Sequence, residues 1–118
     1  MIIDPPQLYA DDVLNCPVAA AVRTFSGKWK PILLHMLAEQ ELHFAQICRA
    51  LPKASKKVLS EQLRELEQDG VITRTPTDET RPRVIYALSE NGKELAPILL
   101  ALYKWQKQRE GADISAAA

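Results

Sequence analysis

Between Ser55 and Gly70 the apolar residues Leu59, Leu63 and Leu66 recur at spacings of four and three, which gathers them on one side of an α-helix. Lys56, Lys57, Ser60 and Arg64 fall outside that stripe and are expected to face solvent. Ser55 suits the N-cap, where its hydroxyl accepts a hydrogen bond from a first-turn N–H, and Gly70 can take the left-handed conformation that ends a helix. The period then switches. Residues 71–75 and 83–88 are rich in β-branched and aromatic side chains, and Pro76-Thr77-Asp78-Glu79-Thr80-Arg81-Pro82 between them has turn chemistry, so a two-stranded ribbon is predicted.

Upstream, Pro17 fits a first helical position with Cys16 at the cap. Val18, Val22 and Phe25 share a face until Ser26-Gly27 stops the helix. A second helix is predicted from about residue 28 to 38, with Trp29, Ile32, Leu33, Met36 and Leu37 as its stripe and Pro31 tolerated near its start. Leu42-His43-Phe44 reads as a minimal strand able to pair with the ribbon. Residues 45–51 read as a short helix burying Ile47, Cys48 and Leu51, and Pro52-Lys53-Ala54 turns the chain into the helix at Ser55, a helix-turn-helix. After the ribbon, Ser89 can cap a last helix with Leu95, Ile98, Leu99, Leu102 and Trp105 or Gln106 along one side. Pro97 is expected to bend it, and residues 112–118 to fray. Leu100 and Tyr103 point elsewhere, so this helix carries more apolar surface than one small domain needs. Together with the first helix it is the expected dimer interface.

These elements predict a mainly α chain with a small β-wing (α+β): one winged helix-turn-helix domain spanning 1–118, its core from about 16 to 106. Its 118 residues and 47% apolar content suit a single modest core, or a subunit completed by a copy of itself. No apolar run approaches membrane-spanning length, and the opening MIIDPPQLYADD lacks the basic region and apolar stretch of a secretory signal, so a cytoplasmic protein is expected. Fifteen acidic and fifteen basic residues cancel, but unevenly: Asp4, Asp11 and Asp12 make the start acidic, whereas Lys53, Lys56 and Lys57 precede any acid at the helix after Ser55. A neutral total thus accommodates a local cationic face. Two cysteines are too few for a disulfide scaffold, and neither they nor His35 and His43 have metal-ligand spacing, so no metal or cofactor is expected.

The residues resemble the HxlR-type transcription regulators, winged-helix proteins related to the MarR group. The matching pieces are Cys16-Pro17-Val18, Gly27-Lys28-Trp29, Phe44 with Ile47 and Leu51, the helix from Ser55 to Gly70, Arg81-Pro82-Arg83-Val84 with Tyr86 and Leu88, and Gly92 with Leu95 and Pro97. Each is weak alone; their order over nearly the whole chain is specific. The resemblance implies a DNA-binding homodimer, joined through its first and last helices, on a near-palindromic operator. It also implies that the position of Cys16 serves in some members as a thiol sensor of oxidants or electrophiles.

Ser55, Lys56, Lys57, Ser60 and Arg64 are therefore the expected duplex contacts on the helix, with Arg81 and Arg83 on the wing, where a narrow minor groove attracts arginine. The plain alternative is a solvated helix face, and Arg83 has Asp78 or Glu79 as an alternative partner. At a helix start, Cys16 would feel unpaired N–H groups and the positive end of the helix dipole, which favour a reactive thiolate; its plain alternative is a small half-buried residue before proline. Cys48, on the stripe of Phe44, Ile47 and Leu51, reads first as a buried inert thiol and second as a resolving partner for Cys16 of a second copy. An enzyme is the least supported class, since no glycine-rich phosphate loop and no nucleophile with a base appear. The stronger rival to a DNA-binding repressor is a winged-helix module that binds protein.

Overall fold

The three leucines of the central helix are completely buried, and the remaining elements assemble around them. In the computed structural model, which describes residues 16–78, 80 and 83–117, with side chains as far as 111, the order is α1 (Pro17–Thr24), α2 (Lys30–Glu39), β1 (Leu42–His43), α3 (Phe44–Ala50), α4 (Lys56–Gln68), β2 (Ile72–Pro76), β3 (Val84–Leu88) and α5 (Glu90–Ala117). The strands form one antiparallel sheet in the order β1-β3-β2. Leu42 pairs with Tyr86, and Ile72 with Leu88, which fixes the ribbon's register. The fold is the winged helix-turn-helix expected from the pattern, with its short third strand in place.

Two local corrections follow from where helices begin. Phe44 opens α3 and does not extend β1, because the Gln46 side chain accepts the His43 N–H at 2.7 Å, a bond that terminates the strand and caps the helix. The second helix starts at Lys30 and not near residue 28, so its inward face is Lys30, Leu33, Leu34 and Leu37, an i, i+3, i+4, i+7 set. Ile32, expected inside, is exposed, and Leu34, absent from the expected stripe, is buried. Lys30 occupies the first inward position and is itself only 8% exposed.

The end of α4 and the start of α5 are tied together at one point. Gly70, with φ +79°, closes α4. The Ser89 hydroxyl donates to the Gly70 carbonyl at 2.6 Å and accepts the Gly92 N–H at 3.0 Å, while the Ser89 N–H donates to the Val71 carbonyl at 3.0 Å. Ser89 thus caps α5, as expected, and anchors it beside the ribbon. The close approach requires glycine at 92: a Cβ there would lie 2.0 Å from the Val71 carbonyl oxygen.

Beyond that anchor α5 runs through Pro97 to Ala117, including residues expected to fray. Leu95 and Leu99 pack against the core, but Ile98, Leu100, Leu102, Tyr103 and Trp105 are exposed. On α1, Val18 is 70% exposed and the helix buries none of its residues. Apart from Leu95 and Leu99, the large apolar side chains of the first and last helices are therefore uncovered among the described residues. No helix among the described residues is long and apolar enough to cross a membrane.

Candidate nucleic-acid interface

Helix α4 separates apolar from polar positions cleanly. Leu59, Leu63 and Leu66 face inward; Ser55, Lys56, Lys57, Ser60 and Arg64 are all exposed. The Ser55 hydroxyl accepts the Val58 N–H at 3.1 Å, so its oxygen is engaged in capping and its O–H stays available as a donor. Lys56 and Lys57 occupy a first turn that contains no acid. Cations at the positive end of a helix cost about 0.3–1 kcal/mol each. Folding gains nothing from them there, and local rules are broken in this way where a surface serves an external ligand; the ligand that suits two ammonium groups beside free N–H donors is an anion.

A cleft of about 650 Å³ opens between α3, α4 and the β2–β3 ribbon. Arg49, Ser60, Arg74 and Arg83 line it, together with the Phe44 and Tyr86 rings, whose centroids are 6.5 Å apart. Ser60 and Arg83 were expected at such a surface. Arg49 and Arg74 were missed, because an isolated arginine on a seven-residue helix or a five-residue strand belongs to no periodic pattern; only packing brings them to one concavity. The base of the wing is closed by Thr77, whose N–H donates to the Arg83 carbonyl at 2.8 Å and whose hydroxyl accepts the Arg83 N–H at 3.0 Å. Arg81, the other expected wing contact, lies outside the described residues, as does Glu79, one of the partners weighed for Arg83.

Both cysteines are free thiols and both are half-buried. Cys16 stands at the N-cap of α1 and makes no side-chain capping bond. Cys48, expected to be buried, instead borders a small pocket with Phe44, Ala45, Arg49 and Lys56, because α3 turns only Ile47 fully inward. Arg49 and Lys56 line that pocket with it.

The back of α4 carries an ion pair. The Lys30 ammonium lies 2.6 Å from a Glu65 carboxylate oxygen. That hydrogen bond, reinforced by the charge of Lys30, holds the Glu65 carboxyl below the usual glutamate value. A carboxyl more acidic in the folded than in the unfolded chain stabilises the fold at neutral pH, and the contribution disappears as pH falls through the folded value. Thermal melts from pH 7 to pH 3 are expected to drop below the ordinary glutamate range more steeply for the natural chain than for Glu65→Gln. Parallel curves would show that the pair has no linkage to folding.

With this geometry in view, comparisons with known proteins agree. Residues 24–113 match the family described as HxlR-like helix-turn-helix. An HTH-type transcriptional regulator of Methanothermobacter thermautotrophicus is 44% identical over 97 residues, covering 82% of this chain and 74% of that protein. Among solved structures, the redox regulator HypR in its reduced form superposes with a TM-score of 0.78 at 33% identity, over 84% of this chain and 98% of that one. Diamide-treated YodB from B. subtilis superposes with a TM-score of 0.69 at 32% identity, over 79% and 93%.

Proposed function

Because the chain belongs to the HxlR-like helix-turn-helix family and is a transcriptional regulator by that membership, we propose that it binds duplex DNA as a homodimer and represses by occupying its operator. The observation that carries this reading is the exposure of Lys56, Lys57, Ser60 and Arg64 on α4 beside a cleft lined by Ser60 with Arg49, Arg74 and Arg83. Helix α4 enters the major groove with its first turns. On this reading Lys56 and Lys57 hold phosphates, while Ser60 and Arg64 reach base edges. The ribbon, with Arg81 and Arg83, lies on the flanking backbone.

A second copy of the chain covers the bare faces of α1 and α5. Val18 and Val22 on one helix, and Ile98, Leu102 and Trp105 on the other, are too many large apolar side chains to leave in water on so small a domain. Two-fold pairing then sets two recognition helices about one helical turn apart, about 34 Å, on a near-palindromic site.

Control by thiol chemistry is the second part of the proposal, supported by the likeness to HypR and YodB and by the two half-buried thiols. Cys16 of one protomer reacts with an oxidant or electrophile; in the disulfide form its partner is Cys48 of the other protomer. The two thiols then lose two protons and two electrons to the oxidant, diamide in the test, and one S–S bond forms. A gel shift on the intergenic DNA beside its own gene, with and without diamide, tests both parts. A retarded band is expected with the reduced protein and its loss after diamide. On non-reducing electrophoresis the diamide-treated protein is expected as a dimer band that disappears in Cys16→Ser and in Cys48→Ser. A monomer band that persists through oxidation sinks the disulfide, and a reduced protein that retards none of that DNA sinks the operator.

A further inference from the structure

Among the described residues Lys30 is the one charged side chain that is buried, and its partner is on α4. Glu65 is half exposed. Burying an ammonium is costly, and an ion pair offsets this only in part, so apolar replacements of such pairs are often neutral or stabilising. Net stability is therefore a poor explanation for the pair.

A second contact lies close by. Gly27, held at φ +129°, presents its backbone to the Gln62 side chain, whose Oε1 would be 3.6 Å from a Cβ placed on the glycine. That oxygen is buried and accepts no hydrogen bond among the described residues. Gln62 and Glu65 are three residues apart, hence neighbours on one face of α4. The chain from Gly27 to Lys30, at the entry to α2, thus holds α4 through the Lys30–Glu65 pair and runs beside Gln62 one turn away.

We infer that this segment is a clamp that fixes the roll of the recognition helix, with Lys30 and Glu65 as positioning residues for operator discrimination; this rests on the reading of α4 as the DNA-contacting helix. The leucine stripe sets which side of α4 faces inward through non-directional packing, whereas the Lys30–Glu65 pair on its flank is a directional contact. With side chains a helix has a radius of about 5–6 Å, so a roll of about 20° carries the outer atoms of Ser60 and Arg64 sideways by about 2 Å. A hydrogen bond to a base edge does not survive that shift, since its length varies only from about 2.7 to 3.2 Å. Lys56 and Lys57, on flexible four-carbon stems, still reach phosphates after it. Loss of the clamp therefore removes sequence discrimination and leaves general affinity for DNA in place.

The test uses the full chain and the substitution Lys30→Met, which fills the buried site and leaves Glu65 free to be hydrated, with Glu65→Gln as the second variant. The probes are duplexes enriched by the natural protein from a random-sequence pool, and poly(dI-dC). A loss of tenfold or more for the enriched duplexes, with less than a twofold change for poly(dI-dC) and a retained cooperative melt, is expected for either variant that folds. Equal losses on both DNAs, or unchanged discrimination in a folded variant, overturn the clamp; so does failure of both variants to fold, which would make the pair a requirement of the core. A natural protein that enriches no sequence fails at the earlier step, and the DNA reading falls with it.

Discussion

Replacing Lys56 and Lys57 together by glutamate is expected to abolish operator binding under physiological salt while leaving the fold as stable as before, or more so. Each lysine that neutralises a phosphate releases condensed counterions and contributes about 0.9 to the slope of log affinity against log salt. Two lysines in each of two protomers account for about 3.6 of that slope, which at about 0.15 M salt corresponds to about a thousandfold in affinity. The folded chain responds in the opposite direction. Both side chains are exposed at a first helical turn that holds no acid, and an acid there gains about 0.3–1 kcal/mol from the helix dipole. Fluorescence anisotropy at several salt concentrations, beside a thermal melt, reads both effects. A variant that binds as before, with the same salt dependence, would return the cationic face to solvent and favour a winged helix that docks on protein.

Gly92→Ala is expected to destabilise the chain by about 3 kcal/mol or more, a large share of the 5–15 kcal/mol typical of a domain. Helix propensity alone predicts the opposite sign, since alanine in a helix is favoured over glycine by about 1 kcal/mol. Contact decides the sign. The new methyl group would sit 2.0 Å from the Val71 carbonyl oxygen and 3.3 Å from the Leu88 Cβ. That carbonyl cannot step aside, because it accepts the Ser89 N–H at 3.0 Å. Relief requires α5 to move away from the ribbon, stretching the Ser89 bonds to Gly70 and Gly92, each worth about 0.5–1.5 kcal/mol. Urea unfolding of the two proteins reads the difference as a lower midpoint at similar slope. An unchanged or raised midpoint would show that the junction between α4 and α5 yields to an added methyl group.

Much of this architecture was legible because the informative segments are strictly periodic. Leu59, Leu63 and Leu66 define α4 without help from any other part of the chain, and the switch to β-branched residues after Gly70 marks the ribbon. The exposed apolar residues of α1 and α5 were legible as an excess of apolar positions. What stayed hidden depends on partners distant in sequence. Lys30 looks like an ordinary surface lysine until α2 is known to begin at that residue, which turns its side chain inward toward Glu65. Arg49 and Arg74 acquire meaning only when α3 and β2 are set on opposite sides of the same cleft. Gly92 fits the family pattern in sequence, but the Val71 carbonyl that demands it is visible only after β2 and α5 are docked.

The long final helix has a consequence for how such a regulator responds to its own abundance. The chain has a radius of gyration of 17.7 Å, against about 13 Å for a self-contained globule of roughly this length. On the homodimer reading, sealing the apolar flank of that helix and assembling the two-headed DNA reader are one event. Promoter occupancy at low expression then climbs with the square of the number of chains, so that halving synthesis relieves a promoter by nearly fourfold, and a gradual change in supply becomes a threshold.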